Sequence, residues 1–97
     1  MKNDNNIWFN QNDIAKLFNV SRVTVTEHIL KILNNKELNI NEVCRDFRHT
    51  RPHNTAYTKT QNRVIKEYNL KMIITLSYKI KTKQSLNFRL EHQSFTL

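Results

Sequence analysis

The sequence predicts one small α+β domain, mostly helical, in which two short helices meet at a tight turn and a β-hairpin and further helices follow. Three observations carry that expectation. Apolar residues recur at helical spacing over 14–18 and again over 25–33, with only 19–21 between the two expected helices. Two β-favouring stretches, 44–50 and 64–68, flank a polar stretch that holds the single proline, Pro52. The 97 residues carry 16 Lys+Arg against 8 Asp+Glu, a net charge of +8, with 38% apolar residues, enough for one modest core.

The elements follow in order. Ile7-Trp8-Phe9 reads as a short strand, with Trp8 a core anchor. Asn10 suits a helix N-cap, and Asp13 stands at the third helical position, where a negative charge is favoured. Ile14, Ala15, Leu17 and Phe18 form one apolar stripe, and the helix stops at Asn19, a residue that tolerates the left-handed conformation. Ser21 caps a second helix from about Arg22 to about Leu33. Val25, Ile29, Ile32 and Leu33 face its inner side, His28 is partly buried beside them, and Arg22, Thr26, Glu27 and Lys31 face another side.

Such a pair packs as a helix-turn-helix when three residues coincide. Ala15 lets the second helix approach, Asn19 makes the corner, and Val25 fills the angle between the helices. Asn39 to Val43 forms one helical turn, with Asn39 and Glu42 at capping-box spacing. Cys44–Thr50 and Val64–Tyr68 then pair across a loop, Arg51–Asn62. A hairpin after a helix-turn-helix makes a wing, so the fold expected for 1–97 is winged-helix-like. Its parts are the helix-turn-helix over 11–33, the hairpin wing over 43–68 and C-terminal helices over 69–95. Asn69 caps the first of these, Leu70 to about Ile80, with Leu70, Ile73, Ile74, Ser77 and Tyr78 inward. Lys81 and Lys83 fall in a connection, and Leu86, Phe88, Arg89 and Leu90 begin a last helix.

The charge is uneven. Residues 1–50 hold seven basic and six acidic side chains, and 51–97 hold nine and two. A polyanion is the first partner this implies, and the motif makes it double-stranded DNA. Ser21, Arg22, Val23, Thr26 and Glu27 are the candidates for reading bases, Arg22 by bidentate bonding to guanine and Glu27 by accepting from cytosine or by orienting Arg22. Gln11, Thr24 and Lys31 are candidates for phosphate contact, with Gln11 also placed to brace the reading helix. On the wing, Arg48, Arg51, His53, Lys59 and Arg63 supply phosphate donors. One such domain reads a short half-site, so a homodimer or an added domain is expected.

Several blocks in the chain resemble a known family. The run I-W-F-N-Q-N-D-I-A-K-L-F-N-V-S-R-V-T-V-T-E-H-I, then E-V-C-R-D-F, E-Y-N-L-K-M-I-I-T-L-S-Y-K-I and S-L-N-F-R, is similar to the N-terminal region of the RhuM family of bacterial virulence-associated proteins. The resemblance covers about residues 6–90 and implies a DNA-binding domain of helix-turn-helix type, bacterial and cytoplasmic, acting in transcription regulation. The family usually has glycine where Asn19 stands, and it continues beyond the last block, so the chain is read as a shortened form. A second reading is a protein-interaction module in a virulence, phage-defence or toxin-type assembly.

Other chemistries find little support. With no glycine there is no Gly-rich phosphate loop, and one cysteine allows no intramolecular disulfide. His49 and His53 with Cys44 fall short of the four ligands zinc takes. No cofactor, small-molecule substrate, catalytic group or membrane span is expected.

Overall fold

The structure, a computed structural model, describes residues 7–52 and 60–92, with 48–52 and 60–63 as backbone. It is a mostly helical α+β domain. The order is β1 (Trp8–Asn10), α1 (Gln11–Phe18), α2 (Arg22–Asn34), α3 (Ile40–Val43), β2 (Cys44–Pro52), β3 (Thr60–Asn69), α4 (Leu70–Lys79) and α5 (Lys83–Glu91). The strands form one antiparallel sheet in the order β1-β3-β2. Trp8 pairs with Asn69 and Cys44 with Tyr68, so both neighbours grip the same end of β3.

Local chemistry explains the helix ends. Asn10 accepts from the Asp13 amide at 2.8 Å, and the Asp13 carboxylate faces the Asn10 amide in return, a capping box. Asn19 takes φ 57, and the next amide, Val20, reaches back to the Ala15 carbonyl at 3.0 Å. Ser21 caps α2 by accepting from the Thr24 amide. The end of α2 is a Schellman motif: Lys36, at φ 60, donates to the Leu33 carbonyl and Glu37 to that of Ile32.

The core gathers Ile14, Ala15 and Phe18 of α1, Val25, Ile29 and Ile32 of α2, Val43, Tyr68, and the inner faces of α4 and α5. Phe18 meets Phe88 edge-on, ring centres 5.6 Å apart. The buried Ser77 and Ser85 hydroxyls donate to the carbonyls of Ile74 and Ile80, so neither is left without a partner. From the hairpin, only Tyr68 and the half-buried Cys44 join the core cluster among the described residues. Further along it Phe47, Val64 and Lys66 are exposed, and the molecule measures 53 Å by 27 and 25 Å along its principal axes.

Several expectations need correction. The hairpin strands run past the expected loop boundaries, since Arg51 and Pro52 belong to β2 and Thr60–Asn62 to β3. The expected wing limits shift as well: Val43 closes α3, and Asn69 closes β3. Tyr78 lies outward, 43% exposed, because the buried stripe of α4 runs through Leu70, Met72, Ile73, Leu76 and Ser77. Lys83 is the first residue of α5, which Thr82 caps, and is not in a connection. Leu86 and Leu90 lie on the exposed side of α5, and α5 ends at Glu91, short of 95. Glu42 makes no capping box; Asn39 caps through the Asn41 amide, and the Glu42 carboxylate faces Lys71 at 3.7 Å. Trp8 is half-buried and outside the core cluster, with the Arg45 guanidinium 4.4 Å from its ring centre.

Candidate nucleic-acid interface

The turn between α1 and α2 leaves the first turns of α2 at the surface. Ser21, Arg22, Val23 and Glu27 are exposed, Val23 to 65%. Val23, Glu27 and Leu30 follow one another at helical spacing on a single outward stripe, and Leu30 is 53% exposed. Sequence reasoning missed Leu30, because an apolar residue within an amphipathic helix is first counted toward the core. Its signal was its place seven residues after Val23. Arg22 and Lys31 are nine residues apart, about half a turn around the helix axis, so they flank this stripe on opposite edges. Among the described residues no ion pair engages Arg22, Glu27 or Lys31. Glu27 therefore does not orient Arg22 in this structure, and five-residue spacing puts the two on different faces.

The remaining polar candidates are internally occupied. Thr26 Oγ1 donates to Gln11 Oε1 at 2.7 Å and also lies 3.0 Å from the Arg22 carbonyl. The Gln11 amide nitrogen reaches the Tyr68 hydroxyl at 3.5 Å. Gln11 thus braces the helix, the second of the two roles open to it. Thr24 shares a hydroxyl contact of 3.0 Å with Ser21, so these two side chains serve the cap. Burial pushes the Tyr68 hydroxyl above its ordinary pKa, against the pull of the Gln11 bond. Burial likewise raises the Cys44 thiol, with Lys66 and Tyr68 acting the other way.

An open groove runs between the start of α1 and the hairpin, lined by Asn10, Gln11, Asn12, Arg22 at the head of α2, and β3 residues Val64, Ile65 and Lys66. Arg22 is the one cation on its helical wall. On the hairpin, Lys66 pairs with Asp46 at 2.9 Å and Arg45 with Glu67 at 2.8 Å, so the base of the hairpin is charge-compensated. Towards the tip, the register sets Arg48 opposite Val64, Arg63 opposite His49 and Arg51 opposite Gln61. His53 and Lys59 lie outside the described residues. The structure therefore brings Ser21, Arg22, Val23, Thr26, Glu27, Gln11 and Thr24 to one end of α2, sets Lys31 more than two turns along it, and puts Arg48, Arg51 and Arg63 on the projecting strands.

One residue that sequence reasoning did not single out supports this end of the molecule. Thr82 Oγ1 donates to the Phe18 carbonyl at 2.8 Å and accepts from the Ser85 amide. It thereby fastens the α5 N-terminus to the last residue of α1, next to the Asn19 corner. Among the described residues no group of three or more His, Cys, Asp or Glu could hold a metal ion, and no helix is long and apolar enough to cross a membrane. Comparisons of the chain with protein-family models, curated proteins and solved structures each returned no match.

Proposed function

We propose that the chain is a double-stranded DNA-binding domain, with α1–turn–α2 as a helix-turn-helix and the β2–β3 hairpin as a wing. The observation that carries this reading is the outward stripe of α2, Val23–Glu27–Leu30, edged by Arg22 and Lys31 and adjoining a groove walled by β3. A helix about 10–12 Å across enters a major groove, and its flanks then meet the two phosphate strands bounding that groove. Arg22, at the first helical position, reads a guanine edge or the adjoining phosphate on the hairpin side. Lys31 meets the opposite strand. Val23 and Leu30 supply apolar contact for thymine methyl groups, and Glu27 accepts from a cytosine amine. The projecting hairpin, with Arg48, Arg51 and Arg63, lies along the backbone beside the groove.

The net charge of +8 favours such a partner, and most of the acids are occupied within the chain: Asp13 in a cap, and Glu37, Glu42, Asp46 and Glu67 in ion pairs. The RhuM-like blocks point to the same class and to a role in bacterial transcription regulation. Selection of bound duplexes from a random pool tests the reading directly. The expected result is an enriched short motif and a log K that falls with log salt at a slope near −4 to −5, for about five neutralised phosphates. Failure to retard any duplex at low salt would end it.

A further inference from the structure

At the far end of α2 the chain forms a second, chemically different site. An open recess of about 490 Å³ lies where α2 gives way to α3, lined by Leu33, Lys36, Leu38, Asn39 and Ile40. Leu33 and Leu38 rest on the core and form its floor. Ile40, the first residue of α3, is 48% exposed on its wall. The Schellman hydrogen bonds hold this corner in one conformation, so a ligand would meet a preformed surface.

The rim is positive. Lys36 is exposed, and among the described residues it has no ion pair. The nearest acid in sequence, Glu37, is engaged by Lys79 at 3.1 Å. Lys36 also sits at φ 60, where glycine or asparagine would be less strained.

We propose that this recess docks a segment of another protein whose apolar side chains are edged by carboxylates. Charge complementarity selects that occupant. A second copy meeting the same patch about a two-fold axis is the competing occupant, and sedimentation distinguishes it. A nucleic acid would satisfy Lys36 and leave Leu33, Leu38 and Ile40 unfilled. A segment carrying Leu, Ile or Phe between Asp or Glu residues satisfies both the floor and the rim. Since α2 is about 20 Å long, the site lies clear of Arg22, and the proposal stands whether or not DNA binds at the other end.

The test is selection of displayed random twelve-residue peptides on the whole chain, followed by fluorescence anisotropy with the enriched peptides labelled. The expected peptides place Asp or Glu beside bulky apolar residues. Lys36→Asn, which keeps a left-handed-tolerant residue, should weaken them about fivefold, and Lys36→Glu by more. Ile40→Ser should weaken them with the lysine intact. Thermal melts of each variant verify that the fold persists. Absence of enrichment, enrichment of peptides without acids, or binding indifferent to Lys36→Asn would overturn the proposal. So would a concentration-dependent dimer in sedimentation that Ile40→Ser abolishes, since that assigns the recess to a second copy.

Discussion

The Thr26 hydroxyl, on α2, donates to the Gln11 side-chain oxygen at the start of α1 over 2.7 Å, and the same amide continues to Tyr68 on β3. Three elements adjoining the groove are therefore set by one side chain. Gln11→Ala is expected to cost about 1 kcal/mol of stability, the net worth of a partly buried hydrogen bond. Thr26→Val should cost a similar amount, and the double variant little more than either alone. Urea titrations of the four proteins measure this. Full additivity would mean that the two side chains stabilise the fold independently.

Thr82 joins α5 to the α1–α2 corner. Thr82→Ala removes both the α5 cap and the bond to the Phe18 carbonyl, with an expected loss of about 1–2 kcal/mol. Thr82→Ser keeps both oxygen functions and should restore most of it. Amide exchange at Val20, whose N–H bonds the Ala15 carbonyl at that corner, should quicken in the alanine variant and not in the serine variant.

Arg22 and Lys31 edge α2 on opposite sides and should separate in their effects on DNA. Arg22→Ala is expected to cost about 1–3 kcal/mol on the preferred duplex and to blur one or two positions of the selected motif. Lys31→Ala should weaken all duplexes alike and lower the salt slope by about one. Lys59→Ala should behave as Lys31→Ala does. Binding isotherms at three salt concentrations distinguish the two patterns.

Stability should fall in alkali. Burial raises the pKa of both the Cys44 thiol and the Tyr68 hydroxyl in the folded chain. For such groups the unfolded chain loses its proton first, so stability is full below the unfolded values and declines as pH rises through the folded ones. Urea midpoints should be flat near neutrality and drop from about pH 9 upward, where an unhindered thiol ionises. Tyr68→Phe should flatten the upper part of that decline. A decline of equal steepness in Tyr68→Phe would assign it to other groups.

The corner between α1 and α2 was legible because its determinants are local. Asn10, Asn19 and Ser21 each act on residues within a few positions, and the structure has them as the sequence implied. The stripe of α4 was harder to read. Tyr78 fits the helical period, yet Met72 and Leu76 fill the inward face, and only packing against α1 and α5 decides between them. The outer hairpin was missed for a different reason. Arg51, Pro52 and Thr60–Asn62 carry no apolar alternation, so the backbone ladder extends where side-chain patterning gives no sign. The brace through Gln11 was among its expected roles, but Thr82 was not, because its partner is 64 residues away in the sequence.

The sheet order places β3 between β1 and β2, with Phe9 opposite Tyr68 and Asn10 opposite Glu67. During synthesis β1 leaves the ribosome before β3 and has no ladder partner until some sixty more residues have followed. Closure of that ladder is thus a late step that joins residues 8–10 to 67–69, and it carries the loop-closing delay of a long-range contact.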